Sequence, residues 1–143
     1  MQKQFETHSA EETIELGRQF APLLRDSGIV LLRGDLGSGK TTLVKGIAEG
    51  FAAAEQEDVT SPTFTLVHEY RGPERNLFHI DLYRIETVRE LETLGLDDLI
   101  RDEGSLLLIE WGEKFTRLLA ERDVEIAIER TGYETRRFTF DQR

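Results

Sequence analysis

Residues 34–41 read Gly-Asp-Leu-Gly-Ser-Gly-Lys-Thr, a complete G-x-x-x-x-G-K-[ST] phosphate-binding loop. Its glycines let backbone N–H groups turn inward around a phosphate without interference from a Cβ atom. The amine of Lys40 can reach the β- and γ-phosphates of a nucleotide, and the hydroxyl of Thr41 can bind Mg²⁺. These residue types at this spacing therefore predict a nucleoside triphosphate site.

The sequence on either side of the loop supports this interpretation. Residues 29–32 form a short apolar run with two β-branched members, which is typical of a buried strand. Residues 42–48 continue with the spacing of a helix. A loop between a strand and a helix aims the positive end of the helix dipole at the bound phosphates.

Two acidic residues directly follow apolar strands: Asp81 after residues 77–80 and Glu110 after residues 106–109. An acid at this position lies at the carboxyl edge of the sheet, where open α/β folds bind ligands. We expect Glu110 to hold Mg²⁺, because its strand is the more apolar, and Asp81 to orient water or complete the metal shell. The reverse assignment is also open. Lys40, Asp81 and Glu110 are thus the candidate catalytic residues.

Three further features near these motifs each allow two interpretations. Residues 60–63, Thr-Ser-Pro-Thr, suit a segment that senses the γ-phosphate or a simple turn before a strand. His79 alternates with apolar residues, which favours a core position over a catalytic one. Trp111 could pack over the nucleotide or merely fill space.

The composition excludes several classes of function. The 143 residues carry a net charge of −10 and contain no cysteine, so disulfides and thiolate zinc sites are ruled out. An acidic chain is a poor nucleic-acid binder by itself. No apolar run is long enough to span a membrane, so we expect a cytoplasmic protein. A C-terminal cluster of arginines is interpreted as a solvated hairpin face: Arg130, Arg136, Arg137 and Arg143.

Hydrophobic periodicity predicts a single α/β domain over residues 1–143, a P-loop NTPase-like three-layer sandwich with a mixed central sheet and flanking helices. Ser9 with Glu12 predicts a capping box at the start of the first helix. The expected strands are residues 3–7, 28–33, 63–69, 76–83, 105–109, 124–129 and 136–140, and the expected helices are 10–25, 40–53, 87–94, 96–101 and 115–120.

Four blocks of sequence in this order resemble the TsaE (YjeE) family, the small bacterial ATPase of tRNA threonylcarbamoyladenosine synthesis. The phosphate loop by itself is shared by many NTPases, whereas the four blocks together are specific to this family. The resemblance extends over nearly the whole chain. The blocks are residues 34–42, residues 61–67, the pattern His79-x-Asp81-x-Tyr83-Arg84 and the triplet at 109–111.

The resemblance implies a weak ATPase that docks on a TsaB–TsaD complex, with tRNA reached only through those partners. It also implies that Thr41 and Glu110 hold Mg²⁺ and that Asp81 contacts the nucleotide or its attacking water. The adenine end would lie near Ala10 and Gly132. The residues that would bind ATP are then Ala10, Gly37, Ser38, Gly39, Lys40, Thr41, Thr42, Asp81 and Gly132.

Two alternatives share the phosphate loop. A small-molecule or nucleotide kinase needs a lid that closes on both substrates, and the segment between Arg84 and Arg101 is the available candidate. A nucleotide-responsive binding module would have the same site without useful turnover.

Overall fold

The structure is a computed structural model that describes residues 1–35, 37–62 and 66–143. Its centre is a seven-stranded sheet in the order β1-β7-β6-β2-β5-β4-β3. The strands are β1 (Gln2–Thr7), β2 (Ile29–Arg33), β3 (Val67–Arg71), β4 (Asn76–Asp81), β5 (Ser105–Glu110), β6 (Val124–Arg130) and β7 (Arg136–Gln142).

The sheet is mixed, as predicted. Strand β2 is parallel to both of its neighbours, β5 and β6, and β4 is parallel to β5. The remaining three pairings, β1 with β7, β6 with β7 and β3 with β4, are antiparallel. The parallel centre brings the carboxyl ends of β2, β4 and β5 to one edge, where the phosphate loop and both strand-end acids lie.

Helices cover both faces of the sheet, which confirms the expected three-layer arrangement. Residues from α1 and α2 pack with one set of alternating strand residues, and residues from α3, α4 and α5 pack with the other set. Within the described residues, no helix has the length and apolarity needed to cross a bilayer. The helices are α1 (Ala10–Phe20), α2 (Lys40–Gly50), α3 (Val88–Thr93), α4 (Leu96–Arg101) and α5 (Thr116–Glu121).

Helix α1 is shorter than its sequence pattern predicts. Its α-helical hydrogen bonding ends at Phe20, and residues Ala21–Leu24 form a 3₁₀ turn with a proline near its start. Proline has no N–H to continue the α-helical ladder, so Pro22 changes the helix type.

The N-terminus of α1 also differs in detail from the predicted capping box. Ser9 caps the backbone N–H of Glu12, but the Glu12 carboxylate accepts from His8 N at 3.0 Å, one residue before the position of a capping box.

Helices α1 and α2 approach so closely that only glycine fits at their contact. A Cβ on Gly46 would lie 2.0 Å from the carbonyl oxygen of Ile14, and one on Gly17 would lie 2.5 Å from that of Leu43. This contact fixes α2, and therefore the phosphate loop at its N-terminus, against a helix rooted in the sheet.

The second hairpin differs from expectation at both of its ends. Residues 63–65 of the expected first strand lie outside the described residues, and β3 runs over Val67–Arg71. The expected extension of β4 to residue 83 is wrong. The strand ends at Asp81, whose carboxylate accepts a hydrogen bond from Tyr83 N at 2.9 Å and turns the chain.

Candidate functional site

The phosphate loop connects the end of β2 to the start of α2. Gly37 and Gly39 adopt positive φ values of 76° and 111°, which a side chain would make costly. Gly39 is the N-cap of α2, and no side chain caps this helix end. The first-turn N–H groups of an α-helix have no intrahelical acceptors. The loop therefore presents uncapped backbone donors, together with the helix dipole, to an anion.

The amine of Lys40 is buried at the centre of the site, with the residue only 5% exposed. It donates to the carbonyl oxygen of Gly34 at 2.6 Å and lies 3.4 Å from Oε1 of Glu110. The ring of Trp111 lies beside it, with Nζ 4.8 Å from the ring centroid. The positive charge is thus held next to the phosphate loop by a carboxylate, a carbonyl and an aromatic face.

Glu110 is buried at the end of β5 and has a second partner in His79 of β4. The distance from His79 Nε2 to Glu110 Oε2 is 2.5 Å. Burial by itself raises the pKa of Glu110, but the hydrogen bond from His79 and the charges of His79 and Lys40 outweigh it and hold the pKa below its usual 4.5. The site therefore keeps a buried carboxylate ionised.

Asp81 lies beside Glu110, because the register pairs these two residues across β4 and β5. Asp81 is also buried, and one of its oxygens accepts from Tyr83 N. The two acids predicted from strand ends are therefore neighbours. Asp81 does not line the phosphate cleft directly, whereas Glu110 does.

The residues around the loop enclose an open cleft of about 250 Å³. Glu110 and Thr41 both line it, so a carboxylate and a hydroxyl are available in the same cleft. No cluster of three or more His, Cys, Asp or Glu in the described ranges could hold a metal by itself. Mg²⁺ does not need one, because it is commonly held by one or two protein ligands with waters and substrate phosphates. The lining residues are Gly37, Gly39, Lys40, Thr41, Thr42, Ser61, Glu110 and Arg136.

The interpretation of the C-terminal arginines as a solvated face is wrong for Arg136. Its Nε donates to the carbonyl oxygen of Ser38 in the phosphate loop at 2.8 Å, and the side chain lines the cleft. The alternation of apolar and polar residues along β7 indicates this placement. Arg136 shares a strand face with Phe138 and Phe140, which pack in the core beneath α1 and α2.

Three comparisons with known proteins assign the chain to one family. A family model described as "Threonylcarbamoyl adenosine biosynthesis protein TsaE" matches residues 7–138. The chain belongs to the TsaE family. The tRNA threonylcarbamoyladenosine biosynthesis protein TsaE of Bacillus subtilis (strain 168) is 37% identical over 97% of this chain and 85% of its own length. That of Rickettsia bellii (strain RML369-C) is 40% identical over 83% and 81%.

A solved structure supports the same assignment. The crystal structure of YdiB from Bacillus subtilis superposes with a TM-score of 0.75 at 32% sequence identity. The alignment covers 99% of this TsaE-family chain and 86% of the YdiB chain. The fold and the family of the chain, both expected from its sequence, are thus confirmed.

The segment before β3 also reaches the site of this TsaE-family chain. Ser61 lines the phosphate cleft, and the backbone N–H of Leu66 donates to Pro62 O at 2.7 Å. The carbonyl of Leu66 in turn accepts from Asp81 N at 2.9 Å, which connects this segment to the strand-end acid. Thr63, at the end of the expected sensor segment, lies outside the described residues.

A smaller cleft of about 160 Å³ adjoins the phosphate cleft, and Gly39, Thr42 and Arg136 line both. Ala10, which the family resemblance implies for the adenine end, lines this second cleft. Gly132 does not line it; its carbonyl accepts from Arg130, and the next two residues of the hairpin form the wall. The other lining residues are Ser9, Thr13, Tyr133 and Glu134.

Proposed function

We propose that this chain is the ATP-binding and ATP-hydrolysing component of threonylcarbamoyladenosine modification of tRNA, and that it acts on a TsaB–TsaD partner complex. One observation carries the proposal. Lys40 and Glu110, which come from different elements, converge at 3.4 Å on one cleft with the phosphate loop. A cation and an ionised carboxylate beside a helix N-terminus are groups that stabilise the charge developed in phosphoryl transfer.

The backbone donors of the loop and the amine of Lys40 bind the phosphates in this proposal. The loop residues are those given by the motif: Gly37, Ser38, Gly39, Lys40, Thr41 and Thr42. Lys40 already lies within reach of the cleft, so a phosphate needs only to compete with Gly34 O and Glu110 for its N–H groups. The adjoining cleft beside Ala10 is the place for the nucleoside end.

Thr41 and Glu110 are the residues that would hold Mg²⁺. The lowered pKa of Glu110 keeps its carboxylate available as a ligand at neutral pH. The ion would stabilise the negative charge that develops on the transferred phosphoryl group.

Asp81 is proposed to orient the attacking water or to contact the nucleotide. Its position beside Glu110 in the register supports this role, and its hydrogen bond with Tyr83 N fixes the carboxylate in place. A group held in this way loses little entropy when it aligns a nucleophile.

The charge of the chain supports the partner-dependent part of the proposal. A net charge of −10 disfavours direct binding to tRNA, so basic partners would hold the nucleic acid. A role in tRNA modification also supports the proposal that the protein acts in the cytoplasm.

Phosphate release by the purified chain tests the proposal, measured alone and with TsaB–TsaD and substrate tRNA. Weak release that rises when both partners are added is the expected result, with Lys40→Ala as the inactive control and Lys45→Ala, in the same helix, as the matched active one. ATP binding without turnover under every condition would leave a nucleotide-responsive module instead. A phosphorylated small molecule among the products would indicate the kinase alternative.

A further inference from the structure

A separate apolar cleft lies on the opposite face of the sheet from α2, where α3, α4 and α5 meet. Its volume is about 280 Å³. Two acidic residues and Arg117 lie among its lining residues, and Arg117 is paired with Asp97. The apolar side chains that form the cleft are Val88, Leu91, Leu96, Ile100, Phe115 and Leu118.

Leu91, Leu96, Phe115 and Leu118 form the buried floor of this cleft, and Val88 forms its solvent-exposed apolar edge. Val88 is 61% exposed, although it lies at the start of α3 directly beside the buried Leu91. An exposed apolar patch with a polar rim commonly marks a site of interaction.

The charge around the cleft identifies the kind of partner. The 18 residues 86–103 contain seven acidic residues and two arginines, a net charge of −5. This segment therefore carries half of the −10 of the whole chain. Two of these acids line the cleft: Glu92, and Asp97, which is paired with Arg117. An apolar cleft in an acidic segment is complementary to an apolar surface with a basic border.

We propose that this cleft binds one face of a basic amphipathic helix presented by a protein partner. The walls of the cleft are the sides of short helices and offer no free strand edge, so helix-in-groove binding is the mode that fits. Apolar side chains of the helix contact Val88 and its neighbours, and flanking lysines or arginines face Glu92. The inference rests on the proposed function in that TsaB–TsaD is the partner expected to carry this helix.

Two short segments of the chain connect the elements of the cleft to the nucleotide site. The chain passes from Asp81 through Tyr83 to α3, and from Glu110 to Phe115. The amine of Lys114 joins these connections by donating to Leu82 O and Tyr83 O, each at 2.9 Å. A helix in the cleft therefore contacts elements that these two connections join to both acids.

Binding of TsaB–TsaD to the Val88→Arg variant, measured by calorimetry, tests this surface. The charge on the apolar wall should lower the affinity at least ten-fold and leave ATP binding and basal phosphate release unchanged. Leu23→Arg is the matched control. Leu23 is also an exposed aliphatic side chain (46%), but it lies in the 3₁₀ turn after α1, on the other face of the sheet. Equal affinity of the two variants would overturn the proposal.

Charge reversal tests the complementarity separately. Glu92→Lys should weaken binding several-fold at low salt, with the difference shrinking as salt screens the charges. Glu74→Lys, in the exposed turn between β3 and β4, carries the same charge change far from the cleft and should bind like the wild type. A wild-type affinity for Glu92→Lys would contradict a basic partner.

If the wild-type chain does not bind TsaB–TsaD, that result counts against the proposed partner alone. A peptide probe still tests the cleft in that case. An amphipathic helical peptide with leucines on one face and lysines beside them should shift the amide resonances of α3, α4 and α5. A counterpart with glutamates should bind at least ten-fold more weakly. Equal binding of both peptides, or shifts elsewhere, would overturn the inference, as would a dimer of the chain that Val88→Arg dissociates.

Discussion

The imidazole Nε2 of His79 lies 2.5 Å from Oε2 of Glu110, whose other oxygen lies 3.4 Å from the amine of Lys40. The carboxylate is therefore held between two nitrogen groups. Nδ1 of His79 is buried and has no hydrogen-bond partner among the described residues, so the contact with Glu110 is the polar contact of this ring. His79 thus fixes the orientation of the acid that faces the phosphate loop.

We expect His79→Leu to lower ATP turnover at least ten-fold and to raise the Mg²⁺ concentration needed for half-maximal activity. Glu110 would lose a partner and with it the orientation that keeps Oε1 on the cleft. The lost hydrogen bond should also lower the free energy of unfolding by about 1–3 kcal/mol. The measurements are phosphate release over a Mg²⁺ titration, ATP binding in EDTA and urea unfolding.

His79→Gln is the control, because its amide places a donor near the position of Nε2. Turnover and Mg²⁺ dependence should return toward wild type in this variant, and ATP binding in EDTA should stay unchanged in both. If the leucine variant loses stability but keeps its Mg²⁺ dependence, His79 has only a structural role.

The sequence predicted His79 as a core residue and Glu110 as a functional one, but it did not predict that they touch. Their contact depends on register, because β4 and β5 pair Asp81 with Glu110 and so place His79 diagonally from Glu110 on one sheet face. Hydrophobic alternation identifies which residues share a face within a strand. It does not fix how two strands are aligned, which loop geometry and packing decide.

The ends of the helices and strands were also harder to predict from the sequence than their order. The order of the strands and helices along the chain followed from periodicity, and α4 begins and ends at the expected residues. Helix α2 ends three residues earlier than its pattern predicts, because Ala52 adopts a positive φ of 53° and Ala53 N closes the turn on Ala48 O at 2.9 Å. Alanine gives no sequence signal for such a cap, so tertiary packing determined this boundary.

Glu110→Ala should reduce turnover far more than it reduces ATP binding. The carboxylate is expected to act through Mg²⁺ and the developing phosphoryl charge, whereas the backbone of the phosphate loop supplies most contacts to the ground-state phosphates. Phosphate release and equilibrium ATP binding measure the two effects separately. Glu113→Ala, a nearby acid beyond Trp111, is the control, and wild-type turnover in Glu110→Ala would refute the metal assignment.

The stability that Glu110 contributes should depend on pH. The pKa of Glu110 is lower in the folded protein than its ordinary 4.5, so folding favours the ionised form. This contribution is fully present above pH 4.5 and is lost as the pH falls through the lowered value. The difference in unfolding free energy between wild type and Glu110→Gln should therefore shrink below pH 4.5, measured without nucleotide or metal. A difference that grows on acidification would contradict this sign.

Gly46→Ala should destabilise the protein, although alanine is the better helix former. In an exposed helix the substitution gains about 1 kcal/mol. Here the added Cβ would lie 2.0 Å from the backbone oxygen of Ile14, so α1 and α2 must separate. Urea unfolding should show a loss of about 1–3 kcal/mol, and ATP affinity should fall because α2 carries the phosphate loop. A gain in stability would show that the two helices move apart at little cost.

Arg136→Ala should weaken ATP binding roughly ten-fold, the effect of one charge-assisted hydrogen bond of about 1.5 kcal/mol. The guanidinium fixes the phosphate loop through Ser38 O and lines both clefts, so its loss frees the loop and removes positive charge from the site. Arg137→Ala is the matched control. Arg137 is the next residue in β7, and its side chain contacts Glu6 and Glu129 on the other face of the sheet. Fluorescent ATP-analogue titration compares them. Equal affinities would mean that Arg136 contributes nothing beyond the general charge of the hairpin, whereas a loss confined to Arg136→Ala assigns it to the nucleotide site.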